Sequence, residues 1–281
     1  MVRDKEKVPV AVIIVTKNEE AHIARCLDAL TSFAQVIVVD SESSDRTCEI
    51  AHIKGAQVCT YRWNGQYPKK RQWCLDTLDI GHDWIFWVDA DEVVTPDVCN
   101  EISVLIENSP NECGFFVPGV YVCGNTPLKH GMRNNKIALF HRKKMCFPVV
   151  NDLDIDGMGE IEGHYQPTFK SDYTEGKIGS LRSALYHYAY EDLDAWHDRH
   201  ERYAFWEAEM IRRERWPKDP IWWREQVKHY LRGSVLKPYI MFVYSYIIKA
   251  GFMDGRAGFD FALSRMKYCQ MILNFLKKDE N

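Results

Sequence analysis

The first hundred residues alternate between apolar runs of strand length and segments with helical periodicity. Residues 8–16 form a continuous β-branched run, and residues 19–33 then carry their apolar side chains on one helical stripe. Helices separate three further predicted strands, at residues 35–40, 57–62 and 84–90. Such alternation predicts an α/β fold, Rossmann-like, with a mostly parallel central sheet and flanking helices.

Polar residues follow three of these predicted strands at the point where each ends. The segments are "TKNEE" from Thr16, "DSESSD" from Asp40 and "DADE" from Asp89. Ligands of open α/β sheets bind in the crevice beyond the carboxyl ends of the strands. We therefore expect the three polar segments to face one shared crevice.

Asp89 and Asp91 have the spacing of a metal-binding pair. Carboxylates two positions apart at a strand end can share Mg²⁺, which leaves its other positions to water and phosphate oxygens. Such an ion neutralises a diphosphate and makes it a better leaving group. The alternative is that residues 89–92 only cap the helix that is predicted to start at Pro96.

The two other polar segments also have a local alternative. Thr16 and Glu19 fit a helix capping box, and Ser44 or Asp45 could cap the following helix. Asp40 is harder to explain in this way, because it ends an apolar strand and could accept the N3 proton of a uracil ring. Of the three cations at residues 69–71, Arg71 is the one expected to face an anion, since cations at a helix start oppose the helix dipole.

The alternation ends after about residue 111. Strands with antiparallel or mixed pairing are predicted at residues 114–123 and 136–142, and a Gly- and acid-rich loop at residues 151–167 separates them from residues 178–190. From residue 191 the pattern is helical. We therefore expect a sheet domain at residues 1–190 and a helical C-terminal extension at residues 191–281.

Composition narrows the class of protein. A net charge of −4 and a pI near 6.2 argue against nucleic-acid binding by the whole molecule. The nine cysteines include no CxxC pair, and the chain opens without an apolar leader, so reduced thiols and a cytoplasmic location are expected.

The last hundred residues combine aromatic side chains with Lys and Arg. This mixture favours helices that lie in the headgroup region of the inner face of the cytoplasmic membrane. The apolar segment at residues 235–252 is interrupted by polar residues and falls short of a membrane span. The alternative is an internal helical pack that closes the crevice and forms a homodimer contact.

Four segments carry a resemblance to a known family: "VIIVTKNEEAHIARCLDAL", "VIVVDSESSDRTCEIA", "KKRQWCLD" and "WIFWVDADE". In order and spacing, residues 8–104 resemble the family 2 glycosyltransferases, inverting enzymes with the GT-A fold. Two later segments, "SLRSALYHYAYEDLDAWHDRHERYAFWEAE" and "GFMDGRAGFDFA", resemble the lipopolysaccharide core branch of that family.

The resemblance implies a nucleotide-sugar donor, a UDP-hexose, and Mg²⁺ or Mn²⁺ as cofactor. It assigns to the donor site Thr16, Asn18, Glu19, Asp40, Arg71 and Asp89. Asp91 would be the direct metal ligand, with Asp89 nearer the ribose. Lys17 stands where many members have a Tyr that stacks on the base.

An inverting transfer also needs a general base for the acceptor hydroxyl. In this family the base is an acidic residue that follows the strand ending in the Asp-x-Asp pair, here Asp89 and Asp91. Glu162 is the favoured candidate, followed by Glu160. His164 and His187 are candidates for the acceptor cleft. The alternatives are solvated acids in a loop and, for His187, a core histidine with satisfied hydrogen bonds.

The resemblance implies an acceptor that is a lipopolysaccharide core saccharide or another glycan. The chain has no QxxRW motif, the mark of processive members, so we expect addition of a single hexose. The alternatives are a catalytically silent nucleotide-sugar-binding module and a sugar nucleotidyltransferase. The latter requires a glycine-rich loop after the first strand, and "TKNEE" contains no glycine.

Overall fold

The computed structural model describes residues 7–155, 165–173, 176–190, 193–216, 218–219 and 221–278. The strands are β1 (Val8–Thr16), β2 (Phe33–Asp40), β3 (Gln57–Thr60), β4 (Trp84–Asp89), β5 (Glu92–Val93), β6 (Gly114–Cys123), β7 (Thr126–Pro127), β8 (Asn134–His141), β9 (Met145–Cys146), β10 (Thr168–Phe169), β11 (Ile178–Ser180) and β12 (Leu185–Tyr190). The α-helices are α1 (Ile23–Asp28), α2 (Thr47–Ile53), α3 (Lys70–Thr77), α4 (Pro96–Glu107), α5 (Leu193–Arg212), α6 (Trp222–Leu231), α7 (Lys237–Val243) and α8 (Gly255–Lys278). A π-helical segment, Tyr244–Ile248, follows α7.

Within these ranges, ten strands form one sheet in the order β3-β2-β1-β4-β8-β6-β12-β5, with β7 and β11 also paired to β6. β1 to β4 run parallel, as strands connected through helices do. β8 runs antiparallel to both β4 and β6. The predicted α/β class with flanking helices and a helical C-terminal region is confirmed. The antiparallel or mixed pairing expected after residue 111 is also present.

β1 is buried on both faces. Val12 and Ile14 pack in one core cluster with side chains of α1, α2 and α4. Ala11 and Ile13 pack in a second cluster with side chains of α3 and α5. Because successive strand residues point to opposite faces, an uninterrupted apolar run suits a strand between two helical layers. Because β2 and β4 both pair with β1 in parallel, the carboxyl ends of the three strands lie at one edge of the sheet.

One predicted helix is shorter in the structure than expected. The helix predicted at residues 19–33 is formed only over Ile23–Asp28: the N–H groups of residues 18–20 bond to side chains of residues 43, 47 and 45, and Phe33 already belongs to β2. Residues 178–190, to which no element was assigned from the sequence, contain β11 and β12, and both pair with β6.

The C-terminal helices form their own packed layer. Ala204 and Ala208 of α5 lie against Tyr268 and Ile272 of α8, and the small alanine side chains allow close approach of the two helices. Among the helices that the structure describes, none is long and apolar enough to span a bilayer.

Candidate functional site

Hydrogen bonds join the loop after β1 to the loop after β2. The backbone N–H of Asn18 donates to Ser43 Oγ (2.7 Å), and that of Glu19 donates to Thr47 Oγ1 (2.8 Å). In return, the Ser44 N–H donates to Asn18 Oδ1 (2.9 Å). Asn18 has a φ of 56°, in the left-handed region where Asn is tolerated better than most residues. The two loops therefore hold each other in place without a ligand.

Asp40 lies at the base of this loop pair and is buried. Its Oδ1 accepts from Thr16 Oγ1 (2.9 Å) and from Ser43 Oγ (2.5 Å), and its Oδ2 accepts from the Ser43 N–H (2.7 Å). Burial acts to raise the pKa of Asp40, but these hydrogen bonds outweigh it and hold the pKa below its ordinary value. Asp40 is thus a fixed, ionised acceptor.

Lys136 holds the acidic segment after β4 together. Its Nζ donates to Asp89 Oδ2 (2.6 Å) and to Glu92 Oε2 (2.6 Å), and Glu92 Oε2 also accepts from the Asp89 N–H (2.9 Å). Burial acts to raise the pKa of Asp89, but the charges of Lys136 and Arg71 outweigh it, and the pKa is lowered. The pKa of Glu92 is raised, by burial and by the neighbouring charge of Asp89.

Asp91 contacts a side chain of β12. Pairing of β5 with β12 sets His187 opposite Glu92, and His187 Nε2 lies 3.3 Å from Asp91 Oδ2. Burial acts to raise the pKa of Asp91, but the charge and hydrogen bond of His187 outweigh it, and the pKa is held well below its ordinary value. The His187 ring also stacks on Tyr121 at 5.1 Å, and its Nδ1 lies 3.1 Å from Asn134 Nδ2.

Asp91 and His187 have the donor chemistry of an open metal site. A carboxylate oxygen and an imidazole nitrogen suit Mn²⁺, and Mg²⁺ is bound through one or two carboxylates with substrate phosphates. Among the described residues, no group of three or more His, Cys, Asp or Glu side chains could hold an ion. The pair therefore fits an ion whose remaining ligands come from water or substrate, and it does not fit a closed structural site.

A cavity of about 1200 Å³ opens between the carboxyl end of the sheet and the C-terminal helices. Asp89, Asp91 and His187 line its floor, and α5, α6 and α8 contribute the opposite wall. Arg71, at the start of α3, also lines it, with its guanidinium 5.9 Å from the Trp87 ring centroid. The cavity is large enough for two sugar-sized ligands side by side.

The predicted site residues fall into three groups. The cavity wall includes Glu19, Arg71, Asp89, Asp91 and His187. The adjoining loop pair contains Thr16, Asn18 and Asp40. Glu160, Glu162 and His164 lie outside the described residues, and their predicted roles stay predictions.

Two of the helix-capping alternatives are wrong. Thr16 and Glu19 do not form a capping box, because α1 begins at Ile23 without a side-chain cap and the Thr16 hydroxyl bonds to Asp40. α4 is capped by Thr95 rather than by the "DADE" segment. The third alternative holds in part, since Asp45 Oδ1 accepts from the N–H of the first residue of α2 (3.0 Å).

Lys136 and two arginines of the cavity wall were not predicted from the sequence. Lys136 begins an apolar run, which signals a strand but not the antiparallel pairing that places it beside Asp89. Arg199 and Arg265 lie on amphipathic helices, where an arginine ordinarily indicates a solvated face. One signal could have identified these two arginines: a cation at a helix position where the periodicity predicts a buried apolar side chain.

Comparison with known proteins agrees with this geometry. The family model described as "Glycosyl transferase family 2" matches residues 11–159. A protein of Rickettsia felis named "Uncharacterized glycosyltransferase" is 26% identical over 286 residues, which cover 97% of this chain and 92% of that protein. The "Lipopolysaccharide core biosynthesis glycosyltransferase LpsC" of Rhizobium meliloti is 28% identical over 146 residues, covering 49% of this chain and 53% of LpsC.

Among solved structures, glucosyl-3-phosphoglycerate synthase from Mycobacterium tuberculosis, in complex with Mn²⁺, UDP and glucosyl-3-phosphoglycerate, aligns with a TM-score of 0.33 and 21% identity. The alignment covers 40% of this chain and 44% of that chain. Mannosyl-3-phosphoglycerate synthase from Rubrobacter xylanophilus aligns with a TM-score of 0.32 and 21% identity, over 41% of each chain.

Proposed function

Since this chain belongs to glycosyl transferase family 2, we propose that it is an inverting enzyme that moves a single hexose from a UDP-sugar to a saccharide of the lipopolysaccharide core. The observation that carries the proposal is the convergence of Asp89, Asp91, His187 and Arg71 on one cavity beside a preformed loop pair. The name of the relative LpsC supports the choice of acceptor.

The donor would lie along the carboxyl edge of the sheet. Asp40, ionised and fixed at the base of the loop pair, would accept the N3 proton of uracil, with Thr16, Asn18 and Glu19 around the base. Asp89, held by Lys136, would accept a ribose hydroxyl. Arg71 would face the diphosphate, because its guanidinium lies at the cavity wall close enough to lower the pKa of Asp89.

Asp91 and His187 would hold Mn²⁺ or Mg²⁺ on the diphosphate side of the donor. When bound, the ion neutralises charge on the departing diphosphate. His187 is positioned for this role because its Nε2 lies beside Asp91 Oδ2 and its Nδ1 lies near Asn134. The role proposed for His187 is therefore in the metal site, at the boundary between donor and acceptor.

The transfer step would need one further group. A carboxylate takes the proton of the acceptor hydroxyl as the hydroxyl oxygen bonds to the anomeric carbon and the bond from that carbon to UDP breaks. We propose Glu162, or failing that Glu160, as this base, and His164 as an acceptor contact.

The experiment that tests the proposal is UDP binding and turnover by Asp91→Asn, with Asp97→Asn as the matched control. Asp97 is an exposed acid of α4 outside the cavity. We expect D91N to lose the Mn²⁺-dependent part of UDP affinity and to lose transfer, whereas D97N keeps both. If D91N keeps Mn²⁺-dependent affinity and turnover, the proposed metal site is wrong. A wild-type protein that binds UDP but never releases it from a UDP-hexose would instead be a silent binding module.

We also propose that residues 191–281 place the cavity mouth against an anionic membrane at the inner face of the cytoplasmic membrane. Trp222 and Tyr230 of α6 are 75% and 79% exposed, and the π-helical segment exposes Ile247 and Ile248. Lys249 is an exposed cation at the end of that segment. Aromatic rings and cations around apolar side chains suit the interface of an anionic bilayer.

Flotation with phosphatidylglycerol vesicles tests this contact. We expect the wild type to float and Trp222→Ala/Ile248→Ala to remain at the bottom, whereas Ile53→Ala, which removes an equally exposed side chain of α2, floats normally. Recovery of the wild type only at the bottom contradicts the proposal. If it is then also a dimer in sedimentation, the apolar surface joins two copies of the chain.

A further inference from the structure

Four cations that line the cavity form no ion pair within 4 Å with a carboxylate that the structure describes. They are Arg133 after β7, Arg199 of α5, Lys249 after the π-helical segment, and Arg265 of α8, and together they form what we name the cationic wall. Within the part of the chain that the structure describes, no carboxylate forms an ion pair with any of them.

The carboxylates that line the same cavity are already engaged. The pairs are Glu19 with His22, Asp89 with Lys136, Asp91 with His187, and Glu207 with Lys237. These described acids are therefore paired elsewhere and leave the wall largely unneutralised, although Arg199 contributes to the lowered pKa of Asp91. A cavity that keeps unneutralised cations is suited to an anionic ligand.

Arg265 shows the imbalance most clearly. It is half-buried, and the titratable groups that act on it most are the side chains of Tyr121, Tyr190 and Tyr268 and a cysteine thiol, none of which is a carboxylate. Burial raises the pKa of Tyr190 to about 12, although Arg265 opposes the rise, so that hydroxyl is neutral at physiological pH. Partial burial of a guanidinium without a counter-ion is unfavourable until an anion arrives.

The exposed members of the wall are held by the backbone. The Gly131 N–H donates to the Lys249 carbonyl oxygen (2.8 Å), and the His130 N–H donates to Asp254 Oδ2 (2.7 Å). These bonds tie the loop that carries Arg133 to the turn that carries Lys249. The backbone positions of Arg133 and Lys249 are therefore fixed relative to each other before a ligand binds, and less conformational freedom is lost on binding.

Arg265 is separated from the proposed diphosphate site, whereas Arg199 lies near enough to Asp91 to contribute to the lowering of its pKa. The stacked rings of Tyr121 and His187 lie between Arg265 and Asp91. A divalent cation at Asp91, together with Arg71, would already neutralise most of the diphosphate charge. Arg265, Arg133 and Lys249 are then further cations that the donor does not require, and Lys249 lies at the cavity mouth beside the exposed ring of Tyr244.

We propose that the cationic wall binds an anionic group, a phosphate or a carboxylate, carried by the acceptor. The proposal rests on the proposed function, because it assigns the donor to the opposite side of the cavity. It makes charge on the acceptor a condition for efficient transfer: Arg265 and Arg199 would bind the anion within the cavity, and Lys249 and Arg133 would attract it at the mouth.

Calorimetric titration with inorganic phosphate, and separately with acetate, of protein saturated with UDP and Mn²⁺ tests the wall. We expect Arg265→Gln and Lys249→Gln each to weaken phosphate binding by about tenfold or more, since hydrogen bonds to charged groups are strong. Arg265→Lys should recover part of the loss. Arg256→Gln is the control, because Arg256 lies on the same helix, is exposed, and pairs with Asp260 outside the cavity.

The outcomes distinguish this inference from the proposed function. UDP binding must be unchanged in all four variants, and thermal unfolding must show that R265Q is folded. If phosphate binds the protein without UDP but not the protein saturated with UDP, the two ligands compete. The wall then belongs to the donor site and the inference is wrong. It is also wrong if the wild type binds neither anion or if R265Q and K249Q bind phosphate like the wild type. Failure of the wild type to bind UDP with Mn²⁺ would overturn the proposed function instead.

Transfer assays then identify the source of the charge. Core oligosaccharide is compared in its native form, after removal of phosphate, and after reduction of its carboxylates. We expect one treatment to raise the acceptor KM of the wild type as much as R265Q does, and to have little further effect on R265Q. If neither treatment changes the KM, the acceptor charge is not recognised and the inference fails.

Discussion

Replacement of Lys136 by methionine tests the charge balance beneath the proposed donor site. Lys136 Nζ lies 2.6 Å from a carboxylate oxygen of Asp89 and of Glu92, and the Glu92 side chain is fully buried. Methionine keeps most of the apolar stem and removes the ammonium group. Loss of one partner of a buried ion pair costs about 3–5 kcal/mol, against at most about 1 kcal/mol for an exposed pair. Because Lys136 is 17% exposed, we expect a loss near the lower value, about 3 kcal/mol.

The loss should depend on pH in a direction that the structure sets. Burial and the charge of Asp89 raise the pKa of Glu92 in the native state, and removal of the ammonium would raise it further. A carboxyl group whose native pKa lies above its unfolded value destabilises the protein at high pH, and this penalty disappears as the pH falls and the group is protonated. The deficit of K136M should therefore shrink as the pH is lowered from neutrality toward 4.5, the ordinary pKa of a glutamate.

Urea unfolding of the wild type, K136M, Glu92→Gln and the double variant, at several pH values, provides the measurement. The double variant should recover most of the stability lost by K136M, because it removes the carboxylate left without a counter-ion. A K136M deficit below about 1 kcal/mol at neutral pH, or one that is equal at every pH, would refute the reasoning.

Three further changes have defined outcomes. Asp40→Asn should weaken UDP binding in calorimetry by about tenfold or more, because it removes the charged acceptor proposed for the uracil N–H. Gly258→Ala should lower the free energy of unfolding by about 1–3 kcal/mol or more, since the new Cβ would overlap the carbonyl oxygen of Gly251. Asp152→Asn should lower it by about 3–5 kcal/mol, because the buried Lys69 ammonium, 2.7 Å from Asp152 Oδ2, would lose its counter-ion.

Each of these changes has a control in the same chain. Glu42→Gln alters an exposed acid near Asp40 and should leave UDP affinity unchanged. Gly81→Ala meets only Gln35 Oε1 at 3.7 Å and should be tolerated. Asp76→Asn removes an exposed acid and should cost little. If a change and its control have equal effects, the role assigned to the changed residue is wrong.

Local sequence patterns were sufficient to predict some elements of the first half of the fold. β1 was predicted with its observed bounds because a run of apolar residues without interruption has few other environments. Pro96 was predicted at a helix start, and it is the first residue of α4, after the capping residue Thr95. Both signals lie within a few residues of the feature that they predict.

Tertiary interactions explain where the prediction from sequence failed. Apolar periodicity favoured a helix at residues 19–33, but hydrogen bonds to the loop after β2 hold residues 18–20 outside the helix. Nothing near residues 19–22 in the sequence indicates those partners, which lie 25 to 28 positions away.

Only those residues of the candidate site whose signal is local could be predicted from the sequence. Asp40, Asp89 and Asp91 stand at strand ends, and a parallel sheet brings strand ends together. Lys136 reaches Asp89 through an antiparallel pairing across 47 positions, and Arg265 reaches the cavity from the last helix. Pairings of that range depend on the whole topology, which local periodicity does not contain.

The reciprocal bonds between the first two strand-end loops have a consequence for ligand binding. They occupy the amide hydrogens of residues 18–20, so this loop offers few free amides to cradle phosphate in the manner of a glycine-rich turn. The nucleoside pocket would exist before any nucleotide arrives, and little ordering should accompany its occupation. We therefore expect uridine recognition to have a small heat-capacity change and fast association, with slower adjustment confined to the sugar and acceptor end.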